Sequence, residues 1–298
     1  MRILSWNIQF AAGREQLFFY DGGDAVNVEA PTVRRTLAGI ARVIRDAQPD
    51  LVLLQEVDRG SDRTARIDQH AALSEALALP CHLSTPYYRS PYVPYPTHAH
   101  LGRMDMHLSV FSRWRVDGAV RTALPTLRES WLRRQFNLRR AVLQVDLPWG
   151  DGALRVFQTH LSAFSRRDGT VPRQVAALTR QLRDADRDGV PWVLAGDFNC
   201  LPPGDDPTRL GPAAALYAER STPLHPLFDH WTSAVPATAH DAEPQRWRTW
   251  LPHGANEAER ALDHVFVGPR MRVLRTEVLS DVTGLSDHLP MLVEVTRE

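Results

Sequence analysis

A carboxylate and a carboxamide stand two positions apart where an apolar run ends, in Val193-Leu194-Ala195-Gly196-Asp197-Phe198-Asn199. Extended backbone would send Asp197 and Asn199 to one side and Phe198 to the other. Such a pair can hold a metal ion, a water or a phosphate oxygen, and an Asp/Asn turn that closes a strand reads the same way. Gly196 lets the backbone approach a neighbour closely at that point. The same kind of polar residue borders other apolar runs: Asn7, Glu56, His160, Asp263, and Asp287 with His288. Each has a plain explanation of its own: a turn-forming Asn, a surface Glu, a structural His. Together they are drawn only from Asn, Glu, Asp and His. Carboxylate and amide oxygens are the donors that Mg²⁺ or Mn²⁺ prefers, and imidazoles beside them carry protons or face phosphates as cations.

The elements that must position these groups are mostly strands. Residues 2–8 alternate, with Leu4, Trp6 and Ile8 on one face and Ile3, Ser5 and Asn7 on the other. Leu51–Leu54 reads as a buried strand running into Gln55-Glu56, and 141–147 with 153–161 read as strands joined at Trp149-Gly150-Asp151-Gly152. Further strands are expected at 108–113, 262–267 and 292–295. Helices are expected from Pro31 to Pro49, over 66–78, and over 174–185, each with one apolar face or a proline stop. Residues 9–30 read as a long ordered loop near the site. Residues 84–107 have no regular period; tyrosines at 87, 88, 92 and 95 alternate with prolines and can stack bases, touch lipid or pack on the domain. The segment 128–140 is the one local basic concentration (Arg128, Arg133, Arg134, Arg139, Arg140), and a solvated face is its default reading.

Composition narrows the classes. Lys+Arg and Asp+Glu both number 35, so no global charge favours a polyanionic partner. All the basic residues are arginine. Two cysteines, Cys81 and Cys200, are too few for a disulfide framework or a zinc cluster. No run is apolar enough for a membrane span, and the strand-like start leaves no stretch for a signal peptide, so a cytoplasmic protein with a single domain over 1–298 is expected.

In order along the chain, the polar strand ends are Ser5-Trp6-Asn7, Leu54-Gln55-Glu56, Thr159-His160-Leu161, Gly196-Asp197-Phe198-Asn199, Leu262-Asp263-His264-Val265-Phe266 and Ser286-Asp287-His288-Leu289-Pro290. In this order they resemble the endonuclease/exonuclease/phosphatase superfamily, the group with the DNase I-like fold. The resemblance implies a four-layer α/β sandwich, two mixed β-sheets face to face with helices outside. It implies that Asn7, Glu56 and Asp287 serve the metal, Mg²⁺ or Mn²⁺. It also implies that Asp197 activates a water, that Asn199 helps place the phosphate or that water, that His160 supplies a second contact to the phosphate, and that Asp263 orients His288. The chain lacks the Trp- and Arg-rich end motif of the abasic-site exonucleases and the Trp-Cys-Asp-Arg motif of inositol polyphosphate phosphatases. The expected function is hydrolysis of a phosphodiester: single-stranded nucleic acid, a nucleotide-like ester or a phospholipid headgroup. A phosphomonoesterase for a small phosphorylated substrate, and an inactive binding module on the same fold, are the alternatives.

Overall fold

Strand β1 (Arg2–Asn7) shows how alternation builds the layers: Ile3 joins the apolar layer between two sheets, while Leu4 and Trp6 join the layer beneath a helix. The computed structural model describes residues 1–126, 139–150, 152–163, 168–217 and 221–298. With strands numbered along the chain, the first six-stranded sheet runs β11 (Met271–Val278), β12 (Met291–Arg297), β1, β2 (Leu51–Asp58), β4 (Gly102–Ser112), β3 (Cys81–Val93). The second runs β5 (Gly118–Ala123), β6 (Ala141–Trp149), β7 (Gly152–His160), β8 (Trp192–Asp197), β10 (Asp263–Val267), β9 (Thr232–Ser233). Each sheet has one parallel pair, β1–β2 and β7–β8, among antiparallel neighbours. A parallel pair needs a crossover, supplied by α1 (Ala30–Ala47) and α3 (Thr170–Asp188) respectively.

The inter-sheet layer gathers Leu51, Leu53, Leu108 and Val110 from one sheet with Leu143, Val156, Val193 and Val265 from the other. Outside the first sheet, Val33, Ile40 and Ile44 of α1 cover Leu4, Val52 and Leu54. Outside the second, Val175, Leu178 and Leu182 of α3 cover Phe157, Leu194 and Phe266. Each such fully buried aliphatic side chain contributes about 1.5–3 kcal/mol. Because both faces of the central strands are covered, their sequences read as continuous apolar runs. This is the four-layer DNase I-like sandwich that the motifs imply. No helix among the described residues is long and apolar enough to cross a membrane.

Two expectations need correction. Residues 84–107 are largely a β3–β4 hairpin, not irregular chain. Its prolines are tolerated because β3 is the outer strand of its sheet, where a missing N–H costs no ladder bond, and pairing shifts register near Pro86 and again before Val93. The helix expected over 66–78 is α2 (Gln69–Leu77), which starts later because the Asp68 side chain accepts the Ala71 N–H at 3.0 Å as its cap. Residues 9–30 do lie along the site, with short 3₁₀ turns at Gln9–Ala11 and Phe19–Asp21. The basic residues Arg128, Arg133 and Arg134 lie outside the described residues.

Gly196 is required by close approach. A Cβ there would meet the Thr159 carbonyl oxygen at 1.9 Å, and its φ is +151°. Gly196→Ala should therefore push β8 off β7 and lower Tm by about 5–10 °C or more. A thermal melt unchanged by this substitution would contradict the packing.

Candidate active site

Strand register assembles the site. His160, the last residue of β7, pairs in register with Asp197 of β8, and Asp263, the first residue of β10, pairs with Asp197 from the other side. Asn7 ends β1 of the opposite sheet, and its Nδ2 donates to Asp197 Oδ2 at 2.9 Å across the sandwich. Gln158 Nε2 donates to Leu54 O at 2.7 Å and ties β7 to β2 nearby. On the inner faces, apolar residues give way to Ser5, Asn7, Gln55, Gln158 and His160 as the strands reach this end.

Asp197 is 1% exposed. Its Oδ1 accepts the Asn199 N–H at 2.8 Å, while His160 Nε2 lies 3.3 Å and His288 Nε2 3.6 Å from Oδ2. His288 is not at a strand end; it stands in the loop before β12. Three bonds fix it there: its carbonyl accepts Trp6 Nε1–H at 2.7 Å, its N–H donates to Ser286 Oγ, and that hydroxyl donates to Asn7 O. Its Nδ1 donates to Asp263 Oδ2 at 2.7 Å.

The charges follow from these contacts. Burial pushes the Asp197 carboxyl up, with Asp263 adding to it, while His288, Asn7 and the Asn199 N–H pull it down; the result is about 6. Burial opposes a charge on His288, but Asp263, Asp197 and Asp287 outweigh it and raise its pKa well above the usual value. His288 is therefore an imidazolium at neutral pH. His160 goes the other way: burial first, then the charges of Arg140 and His288, lower it well below the usual value. It is a neutral imidazole, with Nε2–H toward Asp197 and Nδ1 accepting Tyr87 O–H at 3.3 Å. The sequence expectation of a phosphate contact from His160 thus loses its cationic form. Asn199 also differs from the extended geometry expected for it: its φ is +51°, and its amide donates to Leu161 O at 3.1 Å. Its backbone N–H, not a parallel side chain, is what serves Asp197.

Glu56 faces the same cleft from a bulge in β2, where register shifts between Leu54 and Val57 and its own φ is +57°. Gln9, Phe10 and Ala11 are left-handed too. Non-glycine residues pay roughly 1–2 kcal/mol each for this conformation, and such strain gathers at functional sites. Gln9 is one reason it persists: its N–H donates to Asn7 Oδ1, its Oε1 accepts the Asp287 N–H, and its Nε2 reaches Tyr20 Oη.

The donors suit the divalent cation that the motifs imply. Burial pushes the Asp287 carboxyl up to about 7, helped by Glu56, Asp21 and Asp197 and opposed by His288. Carboxylates that raise one another in a cleft are stabilised by a hard cation. Glu56 has no hydrogen-bond donor among the described residues; its nearest partner, His160 Nδ1, is 3.9 Å away. Asp197, Asp263 and His288 also bring one donor atom each within 4.8 Å. In that trio, however, His288 Nδ1 is occupied by Asp263, so it suits proton handling better than a cation. Asn7 gives its Nδ2 to Asp197 and one Oδ1 lone pair to the Gln9 N–H, keeping a second lone pair, and Glu56 and Asp287 are the open carboxylates.

The cleft holds about 1040 Å³ and also contains residues that the motifs did not single out. Arg140, expected on a solvated face, is buried in its wall, with Nε and Nη1 unpaired among the described residues and the guanidinium 5.3 Å from the Tyr87 ring centre. Arg63 and Arg260 line the cleft too, paired with Asp58 and Glu259. Only Arg140 carried a sequence signal, its place in the basic segment.

A carboxyl raised from 3.8 to about 7 favours the folded state while protonated. That stability is complete below pH 3.8 and is lost as pH rises through about 7. With a chelator present, Asp287→Asn should raise Tm at pH 8 and leave it nearly unchanged at pH 4. Equal melting of the two proteins at pH 8 would contradict the electrostatic strain.

A model of the Endonuclease/Exonuclease/phosphatase family matches residues 4–288. The crystal structure of an endonuclease/exonuclease/phosphatase from Beutenbergia cavernae DSM 12333 is similar at 25% identity and TM-score 0.68, over 99% of this chain and 71% of that one. The human Nocturnin catalytic domain, solved with a bound sulfate anion, shares the fold at 19% identity and TM-score 0.62, over 100% and 94%. The Bacteroides thetaiotaomicron VPI-5482 mannosyl-6-phosphatase shares it at 16% identity and TM-score 0.60, over 99% of each chain. No curated protein matches by sequence. With a family match over nearly its whole length, the chain belongs to the endonuclease/exonuclease/phosphatase family, whose members are hydrolases of phosphate esters, generally with divalent metals.

Proposed function

We propose that this protein is a phosphodiesterase, dependent on Mg²⁺ or Mn²⁺, that hydrolyses its ester through a water activated by Asp197. The observation that carries the reading is the buried Asp197 carboxylate at the cleft floor, held by Asn7 and the Asn199 N–H beside the Asp263–His288 pair. A carboxyl near pH 6 suits a general base at neutral pH. Asp197 takes a proton from the water as its oxygen bonds to phosphorus. The bond to the leaving oxygen breaks in line, and the departing alkoxide takes a proton from solvent. His288, kept cationic by Asp263 and Asp197, stabilises charge on a non-bridging oxygen. Asp263 fixes the proton on Nδ1 and so directs Nε2–H into the cleft. Arg140 offers the phosphate a second cation. Glu56 and Asp287, with the free lone pair of Asn7 Oδ1, would hold the divalent ion, which when bound supplies Lewis-acid charge at the phosphate.

The charge balance supports a diester over a monoester. Two of the cleft arginines are neutralised by their own carboxylates and His288 by Asp263, which leaves Arg140 against Glu56, Asp21, Asp197 and Asp287. A monoanionic diester fits that balance better than a dianion. The even overall charge supports a short, single-stranded or small ester, and we expect poor cleavage of duplex DNA.

The protein should hydrolyse bis-p-nitrophenyl phosphate faster than p-nitrophenyl phosphate with Mg²⁺ or Mn²⁺, and lose activity to a chelator. Asp197→Asn should lower kcat by about 10²–10⁴-fold. Asp263→Asn and His288→Ala should be strongly non-additive, because one residue acts through the other. Glu56→Gln should weaken Mg²⁺ binding in calorimetry. Failure to hydrolyse any phosphate ester, with either metal, would leave a binding module on this fold.

A further inference from the structure

Single exposed apolar side chains are ordinary on a protein surface, but several gathered at one cleft mark a binding site. Seven large ones are exposed among the described residues, and four of these, Leu17, Tyr20, Tyr95 and Leu216, line the one cleft that holds Asp197. A chain of ring contacts links the core to the rim. Phe10 meets Phe18 edge-on at 5.3 Å, Phe18 stacks on Tyr20 at 5.4 Å, Tyr20 meets Phe19 at 5.4 Å, and Phe19 meets Tyr95 at 5.6 Å. Its inner end is pinned, since Phe10 is buried and carries the Arg63 guanidinium 3.6 Å from its ring centre. Met104 and Met106 of β4 line the same cleft and add to its apolar surface. The rings of the wall therefore brace one another, and its outer tyrosines, Tyr20 and Tyr95, remain exposed to solvent.

We propose that this wall binds a flat aromatic group on the substrate, of nucleobase or phenyl size, attached to the phosphate that His288 and Arg140 face. The proposal rests on the phosphodiesterase reading and names the kind of ester that site selects. The volume, about 1040 Å³, leaves room for a ring beside a phosphate. Rings fixed by other rings lose little freedom on binding, which favours stacking over a flexible apolar contact. The rim is poorly suited to a bilayer: such surfaces pair apolar residues with unpaired cations. Here the cleft arginines Arg63 and Arg260 are ion-paired, Arg140, unpaired among the described residues, is buried away from the rim, and the chain has no lysine.

Three p-nitrophenyl phosphodiesters with the same leaving group test this: the methyl, phenyl and thymidine-5′ esters. The phenyl and thymidine esters should show KM about tenfold below that of the methyl ester, a difference of about 1.4 kcal/mol. Phe19→Ser with Tyr95→Ser should raise those two values to that of the methyl ester. Tyr95→Ser alone, at a side chain 58% exposed, should remove part of the preference with the fold unaffected. A lower KM for thymidine than for phenyl would identify a nucleobase as the ring, and the reverse order a simple aryl group. Equal KM for all three, or a preference that survives both substitutions, overturns the proposal. So does sedimentation with phosphatidylserine vesicles that depends on Tyr95, which would assign the rim to a bilayer. Calorimetric titration with phenylphosphonate and methylphosphonate reads the ring preference without turnover. Tighter binding of phenylphosphonate by a protein that hydrolyses no ester would sink the enzymatic reading and keep this one.

Discussion

Asp197 must stay available as an anion at a place that disfavours anions, and much of the molecule answers to that requirement. A buried carboxylate is tolerated only when donors and opposite charge replace the water it has lost. The donors and the opposite charge come from distant parts of the chain: the Asn7 amide from the first strand, the Asn199 N–H from the loop after β8, and the His288 cation from the loop before the last strand. No segment carries enough of them locally. Bringing them together takes two sheets packed so that β1 and β8 end at the same level, with α1 and α3 holding each sheet from outside.

The two histidines beside Asp197 show how finely such a place separates like residues. Both are almost fully buried. Burial works against a proton on both; at His288 the carboxylates of Asp263, Asp197 and Asp287 outweigh it, whereas at His160 the charges of Arg140 and His288 add to it. One imidazole is then a fixed positive charge and the other a neutral strut. The difference lies in their neighbours and not in either side chain.

Much of the architecture was legible because burial on both faces leaves a strong mark. The apolar runs at 51–54, 141–147 and 193–195 became central strands, and the face Val33, Leu37, Ile40, Ile44 became the buried side of α1. The hairpin at 81–112 was hidden by its prolines, which weigh against a strand in isolation but are harmless on an outer edge.

By itself the sequence determined which groups are present, their order, and that each borders an apolar run: Asn7, Glu56, His160, Asp197, Asn199, Asp263, Asp287 and His288. Residue type and periodicity are local properties, and a linear reading reaches them. The tertiary structure decided what each group does. Glu56 turns into the cleft through a bulge opposite β4, Asn199 serves through its backbone N–H, and Arg140 is buried instead of solvated. The aromatic residues of two separate segments join into one wall. These outcomes depend on which strand lies beside which, and on the water each neighbour excludes. That information exists only once residues far apart in the chain have been brought together.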